Sequence, residues 1–474
     1  MTRDPLEDFF ARERAGIREL PGGPDHWDDL VRGSRRPRHQ SWLPYLAGAA
    51  AVAVVVGGLG WNAADRGHDA APASASSTPV VTRTATVTVT SPPRTVPVVP
   101  PTNPVSAPSK SSGPLPVPVT FGAVSLTNGG QGNLRALGSA SCSGGKPCVS
   151  VVGSDDNGAT WTSRSTFTSL TAAGMARRTP DGDDQLTGLR FATPDIGYAF
   201  GSKAFRSVDG GRHFDPLDVG GRRVLSLEVG GDTVWLVTAT ECRHGEAAAA
   251  RGCTGLEVWS VPVAGRAASR VEALHLSQPV EAAWLSMDGA DAYVSVSYLD
   301  QETATPARRV SGAPVDLPRP NGCAATGAVW VSGTANTRGG LVAVCQAAAD
   351  AAGSYAVATS TDRGATWTAA RAAKSLGTPG YAGVWLTAVD LHRLVAVTQG
   401  LPTSGSLADE PSTLLSSKDG GATWRAARTV KGSDGWSWAG AGGGDLVFAL
   451  GGGAGSYDVS TDQGASFGQR LFRK

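Results

Sequence analysis

The sequence predicts an all-β fold over residues 119–474, a seven-bladed β-propeller. Three observations predict it. A polar turn recurs five times: "SDDNGATW" (154–161), "SVDGGRHF" (207–214), "STDRGATW" (360–367), "SKDGGATW" (417–424) and "STDQGASF" (460–467). Its aspartates are spaced by 53, 153, 57 and 43 residues, and the long gap is three repeats of about 51. A period of this size marks a solenoid, a propeller or an array. Third, short alternating apolar runs such as "GDTVWLVTATEC", "GADAYVSVSYL" and "GDLVFALGGG" are split by Gly, Pro and Asp. These runs read as strands, about four to a unit.

Ahead of that region the chain changes character twice. Residues 1–41 are charged, and "DPLEDFFARERAGIREL" has a helix signature with Asp4 as N-cap and Pro5 at the first position. Leu6, Phe9, Phe10, Ile17 and Leu20 fall on one face at helical spacing. That face suits a cytoplasmic protein partner; its mixed charges make it a poor membrane-surface helix. Residues 42–61, "WLPYLAGAAAVAVVVGGLGW", hold no charge and are flanked by Trp42, Tyr45 and Trp61. That length and those interfacial aromatics predict one transmembrane helix. A forty-residue charged leader and the lack of a convincing A-x-A site argue against a cleaved signal peptide. Arg32, Arg35, Arg36 and Arg38 precede the span, so the N-terminus is expected in the cytoplasm and the remainder outside the cell.

Residues 62–118 form a linker, rich in Pro, Ser, Thr and Val from residue 70 onward. Such a stretch cannot bury a core and is expected as an extended stalk. All six cysteines lie beyond it, in sequence-local couples: Cys142 with Cys148, Cys242 with Cys253, Cys323 with Cys345. Six cysteines allow fifteen connectivities, among which sequence does not choose. Pairing within each couple is the least demanding, and disulfides suit an oxidising exterior. With no C-x-x-C, and only His244 near a couple, zinc is disfavoured.

The 153-residue gap implies two degenerate copies of the turn, near 260 and 311. The chain offers "VWSVPVAGRAAS" (258–269) and "ARRVSGAPVDLP" (307–318), where the Asp and Trp are lost. Seven units of about 50 residues then fill 119–474. In the five clear copies the key positions are Ser154, Asp156, Gly158 and Trp161; Ser207, Asp209, Gly211 and Phe214; Ser360, Asp362, Gly364 and Trp367; Ser417, Asp419, Gly421 and Trp424; and Ser460, Asp462, Gly464 and Phe467. Asp suits acceptance of backbone N–H bonds, Gly the left-handed position, and Ser a local hydroxyl bond. The aromatic residue starts a strand and can bury its ring. The turn therefore reads as a structural staple.

The pattern S-x-D-x-G-x-T-W resembles the Asp-box, or BNR, repeat of sialidases, sortilin-type receptors, xyloglucanase-type glycosidases and photosystem II assembly factors. The segment "FATPDIGYAFG" (191–201) is similar to the strand pair preceding the box in the assembly-factor type. The resemblance covers about three quarters of the chain. It implies a propeller with its boxes at the blade periphery, away from the central pocket. Together with the Arg-over-Lys and Ala, Gly and Val bias of a GC-rich genome, the whole looks like an actinobacterial-type single-pass membrane protein.

Chemistry is harder to find. A sialidase-like site needs an arginine triad, a Tyr nucleophile and an acid, and the F/Y-R-I-P segment of that family is absent from "FGAVSLTNGGQGNLRALG" (121–138). No motif selects two aspartates for a xyloglucanase-like pair. G-x-S-x-G, P-loop and H-E-x-x-H patterns are absent. Arg206, Arg212, Arg222 and Arg223 read as a solvated face rather than an anion site. Trp235, Trp259, Trp284, Trp330 and Trp385 read as core aromatics between blades rather than sugar-stacking platforms. The 42 basic and 41 acidic residues nearly cancel, which gives no reason to expect nucleic acid. No catalytic residue, cofactor or metal ligand is assigned. The expected function is a non-catalytic surface module that binds protein or glycan through a propeller face. A surface glycoside hydrolase and a transmembrane sensor are the alternatives.

Overall fold

The structure, a computed structural model, describes residues 115–172, 184–220, 222–242, 253–298, 303–348, 354–377, 384–398, 412–430, 435–451 and 455–473. The predicted cytoplasmic tail, the span at 42–61 and the linker up to residue 114 lie outside the described residues. Among the described residues no helix is long and apolar enough to cross a membrane. Among the described residues the only helical elements are two 3₁₀ turns, Ser143–Gly145 and Lys374–Leu376; the rest is strand joined by turns and loops.

The strands form six sheets: two of five strands, one of seven and three of four. In the seven-stranded sheet the long strand Ser269–Asp288 is shared. Its first half pairs with Cys253–Pro262 and its second half with Asp291–Tyr298. Each four-stranded run is contiguous in sequence and antiparallel.

We number the innermost strands β1 (Gly122–Asn128), β2 (Gln185–Phe191), β3 (Arg223–Gly230), β4 (Ser269–Asp288), β5 (Trp330–Gly333), β6 (Val384–Ala388) and β7 (Trp438–Gly443). Consecutive members are neighbours, and β1 also neighbours β7. That cycle makes the described region a β-propeller, a closed ring of radial sheets.

Burial follows from the ring. A strand covered by sheets on both faces reads as a continuous apolar run, as Leu341–Gln346 and Tyr355–Ser360 do. Peripheral strands are polar and exposed, such as Arg425–Val430. The apolar clusters each bridge two consecutive four-stranded runs. One joins the first and second through Leu137, Val151, Leu189 and Phe205, and another joins the last and first through Phe121, Trp161, Tyr457 and Phe472. Among the described residues no strand is exchanged between the first and last sheets. Side-chain packing closes the ring.

The ladder begins at Leu115, inside the stretch expected as linker. Leu115 and Pro116 pair with Ser163 and Thr162 at the outer edge of the first sheet, where the missing proline N–H removes no ladder bond. Val117 is buried in the closing cluster.

Disulfides join Cys142 to Cys148 and Cys323 to Cys345, as local pairing predicts. Cys253 is disulfide-bonded, and Cys242 stands opposite it in the ladder.

Candidate functional site: the recurring turns and the central cavity

All five turns join the third and fourth strands of a sheet, and each Ser is the last residue of its third strand. The Ser hydroxyl donates to the Asp carboxylate and accepts the Gly N–H. In the third copy these bonds are Ser360 Oγ to Asp362 Oδ1 at 2.7 Å and Gly364 N to Ser360 Oγ at 2.9 Å. The same Oδ1 also accepts the Thr366 N–H at 2.9 Å, and Oδ2 accepts the Thr366 hydroxyl at 2.6 Å. In the two divergent copies the acceptor role persists: Ser466 replaces Thr with the same two bonds, and His213 donates its backbone N–H and approaches Asp209 through Nδ1.

These bonds set the electrostatics. Donation by the Thr160, Thr366 and Ser466 hydroxyls and N–H groups holds Asp156, Asp362 and Asp462 at about 2. Thr423 likewise lowers Asp419. For Asp209, burial raises the carboxyl, but the bonds from His213 and Ser207 leave it lowered. A carboxylate so saturated with donors is a poor general acid.

Two consecutive residues of each turn are left-handed: Asn157 and Gly158, Gly210 and Gly211, Arg363 and Gly364, Gly420 and Gly421, Gln463 and Gly464. The first of each pair aims its N–H at the inner hairpin of the same sheet. Examples are Asn157 N to Gly132 O at 2.9 Å, Arg363 N to Gly339 O at 3.0 Å and Gln463 N to Asp445 O at 3.0 Å. The glycine itself faces the preceding sheet; a Cβ on Gly464 would lie 2.5 Å from Val395 Cγ2. The turn is thus a latch within one sheet and a contact between two. The sequence signals the glycine, whereas three of the five preceding left-handed residues are not glycine.

The degenerate segments lie at the equivalent hairpins, after Pro262 and after Arg309. Other groups tie them. Arg206, expected on a solvated face, is buried and donates to the Val263 carbonyl at 3.0 Å. Ser311 Oγ donates to Asp291 at 3.0 Å and accepts the Ala292 N–H at 3.1 Å. Arg222 of the same expected face is paired with Glu257 at 2.8 Å.

The inner strands β1–β7 enclose a central cavity of about 450 Å³, within the range of small-ligand sites. Hydroxyls on one inner strand cap N–H groups on the next: Ser125 accepts from Leu189 at 3.0 Å, Ser226 from Leu285 at 3.0 Å, and Thr387 from Ala441 at 3.1 Å. The wall is therefore rigidly stitched, and its aromatic content is high. Trp284, Trp330, Trp385 and Trp438 all line it. Trp284 meets Trp330 and Trp385 edge-to-face, with centroids 5.7 Å and 6.5 Å away. Trp235 is buried between sheets and Trp259 partly so, as expected. Trp330 and Trp385 pack against clusters between sheets, as expected, but are only partly buried, and with Trp284 they also line the channel.

Arg190 and Glu228 are the ionisable side chains of the lining. Arg190 donates Nε and Nη2 to Glu228 at 2.7–2.9 Å, and Nη1 to the Leu189 carbonyl at 2.9 Å. Its guanidinium also lies 5.7 Å from the Trp438 ring centre. The pair is internally neutralised and tethers β2 to β3. The Ser286 hydroxyl, on a residue of the lining, is buried and finds no hydrogen-bond partner among the described residues. Sequence reasoning did not single out Arg190, Glu228, Ser286 or Trp438. The available signal was an Arg set between Leu189 and Phe191 in an apolar strand. Chemically the cavity offers indole surface; its carboxylate is already engaged.

No protein-family model matches the chain, and no curated protein matches it. Among solved structures the chain is similar to a GH74 enzyme of Niastella koreensis, at 15% identity over 75% of this chain and 66% of that one, with a TM-score of 0.38. It is similar to YCF48 from Cyanidioschyzon merolae, at 12% identity over 74% and 98%, with a TM-score of 0.46. A third similar structure is the β-propeller domain of the Trilobed protease from Pyrococcus furiosus, at 9% identity over 76% and 97%, with a TM-score of 0.45. The chain spans just under two thirds of the GH74 enzyme.

Proposed function

We propose that this chain is a cell-surface recognition or assembly module: a seven-bladed Asp-box propeller that binds protein or glycan in its central cavity. The observation that carries this reading is the lining itself. Three partly exposed tryptophans line the cavity, and its one carboxylate among the described residues is held by Arg190. Dividing the shared strand Ser269–Asp288 between two four-stranded runs supports seven blades. The saturated turn carboxylates support the Asp-box reading as a structural staple.

The cytoplasmic tail 1–41, the span 42–61 and the Pro-rich stalk would hold this module outside the cell, with the tail's apolar face free for a cytoplasmic partner. A tag before residue 30 that resists protease on intact cells, with the ring cleaved, supports that topology.

The functional test incubates the full chain with glycans, cell-wall polysaccharides and peptides, reading binding and, by mass spectrometry, released sugars. Trp284-dependent binding without product supports a recognition module. Product above a heat-inactivated control would instead support the glycoside-hydrolase alternative, which needs two free carboxyl groups.

A further inference from the structure

On one side of the ring each inner strand turns through a hairpin into the second strand of its run. Six of these hairpins take two or five residues, whereas the one after β5, Thr334–Gly340, takes seven. Its path uses the extra length. Thr334 bridges to Ala388 at the end of β6, and Ala335 and Asn336 donate their N–H groups to the Ala388 and Val389 carbonyls at 3.0 Å and 2.9 Å. The Asn336 side chain then reaches past β6. Its Nδ2 donates to the Gly444 carbonyl at 2.8 Å, in the hairpin after β7. The segment therefore ties the sheet of β5 to the sheet two places along the ring.

This crossing runs on the axis side. Ala335 lines the central cavity together with the strand-end residues Gly333, Ala388 and Gly443, so the segment borders the cavity mouth on the hairpin side. Root and tip are held unequally. At the root Thr334, Gly339 and Gly340 are buried. There Gly339 donates its N–H to Asp288 at 2.7 Å, and Thr334 donates its own to the Gly340 carbonyl at 3.1 Å. At the tip Ala335, Asn336 and Gly444 are exposed. No residue of 334–340 belongs to an apolar cluster of the described residues. Exposed hydrogen bonds compete with water and contribute little net stability. A tip held by such bonds alone opens locally while its buried root stays folded.

We propose that Thr334–Gly340 gates the hairpin-side mouth of the central cavity: the Asn336–Gly444 bond latches it across β6, and release of that tip opens the way to Trp284 and Trp385. An occupant using this mouth passes the tip on entry and on exit, so breaking the latch speeds capture and release alike. That role rests on the cavity being the recognition site; the movement of the gate does not, and the test reads the movement without an occupant.

The full chain in detergent micelles is treated with 2-hydroxy-5-nitrobenzyl bromide, an indole-selective reagent, and labelling rates at individual tryptophans are read by peptide mass spectrometry. In Asn336→Ala, Trp284 and Trp385 should label at least about threefold faster than in the parent, with the rate at Trp259, between the second and third sheets, unchanged. Asn336→Asp, which keeps the size of the side chain and removes its donor, should behave alike and serves where the alanine variant loses its far-UV spectrum. In the parent, hydrogen exchange of 334–340 should be at least about tenfold faster than that of the adjoining strand Leu341–Gln346. Unchanged rates at Trp284 and Trp385, equal acceleration at Trp259, or exchange of 334–340 as slow as in that strand overturns the gate. If glycan or peptide binding depends on Trp284 while the labelling rates do not respond, the gate alone is wrong. If the rates respond while Trp284→Ala leaves that binding intact, the gate stands and the recognition reading fails.

Discussion

Trp161 and Phe472 meet edge-to-face with ring centroids 4.8 Å apart, and through that contact the first sheet meets the last. Phe121 and Tyr457 complete the cluster, at 5.3 Å and 4.8 Å from Phe472. Among the described residues no strand is shared across this joint, and aromatic packing closes it together with two side-chain bonds, Asn128 to the Gly442 carbonyl at 2.7 Å and Arg470 to the Asn157 carbonyl at 3.2 Å. Phe472 is fully buried only two residues before Lys474. Phe472→Ala should therefore destabilise the ring by about 3–5 kcal/mol, read as a fall in the urea midpoint. A change below about 1 kcal/mol would show that the ring closes by other means.

The latch geometry predicts an order of severity within one turn. Gly464 has φ +87° and no room for a Cβ beside Val395. Gly464→Ala combines strain with overlap and should cost about 2–4 kcal/mol. Gln463→Gly, at the adjacent left-handed position, removes strain and should be neutral or slightly stabilising. Thermal melts of the two variants check the ordering; equal melts would contradict the backbone account.

Acid should loosen the turns. Hydrogen bonds from hydroxyl and N–H groups hold Asp156, Asp362 and Asp462 at about 2 in the folded chain, against about 3.9 unfolded. Their contribution is complete above about pH 4 and is lost as pH falls towards 2. The melting temperature of the parent should drop across that window, and Asp362→Asn should show a shallower drop with a lower plateau at neutral pH.

Asp288 has the opposite sign. It is buried, accepts the Gly339 N–H at 2.7 Å, and leaves Oδ1 without a hydrogen-bond partner among the described residues. Desolvation raises its carboxyl, and the neighbouring Asp291 adds to the rise. A raised carboxyl opposes folding once ionised and relaxes as pH falls through its folded value. Asp288→Asn should raise the melting temperature at pH 7, and the gain should shrink on acidification. A loss of stability at pH 7 would mean that the ionised form is needed at this joint.

Much of this architecture is legible in the sequence, because a propeller writes its period into the chain. Ser154, Asp156 and Gly158 recur because each sheet needs the same hairpin tied in the same way. The two eroded copies sit at the expected spacing, yet their substitutes, Arg206 to the Val263 carbonyl and Ser311 to Asp291, depend on contacts between distant segments. The cavity is less legible for the same reason. Trp235 and Trp284 look alike as aromatic residues of strands, and only their place in the ring sends one to the core and the other to the channel. Arg190 was obscured by its position in an apolar run; it is tolerated there because Glu228 arrives from the next inner strand.

The most direct measurement of the central claim is the equilibrium affinity of the full chain for its strongest binder among glycans and peptides, with and without Trp284→Ala/Trp385→Ala. Stacking in the cavity predicts at least a tenfold weaker affinity in the variant, with its melting temperature within a few degrees of the parent. Unchanged affinity in a folded variant would place recognition elsewhere on the ring and contradict the account.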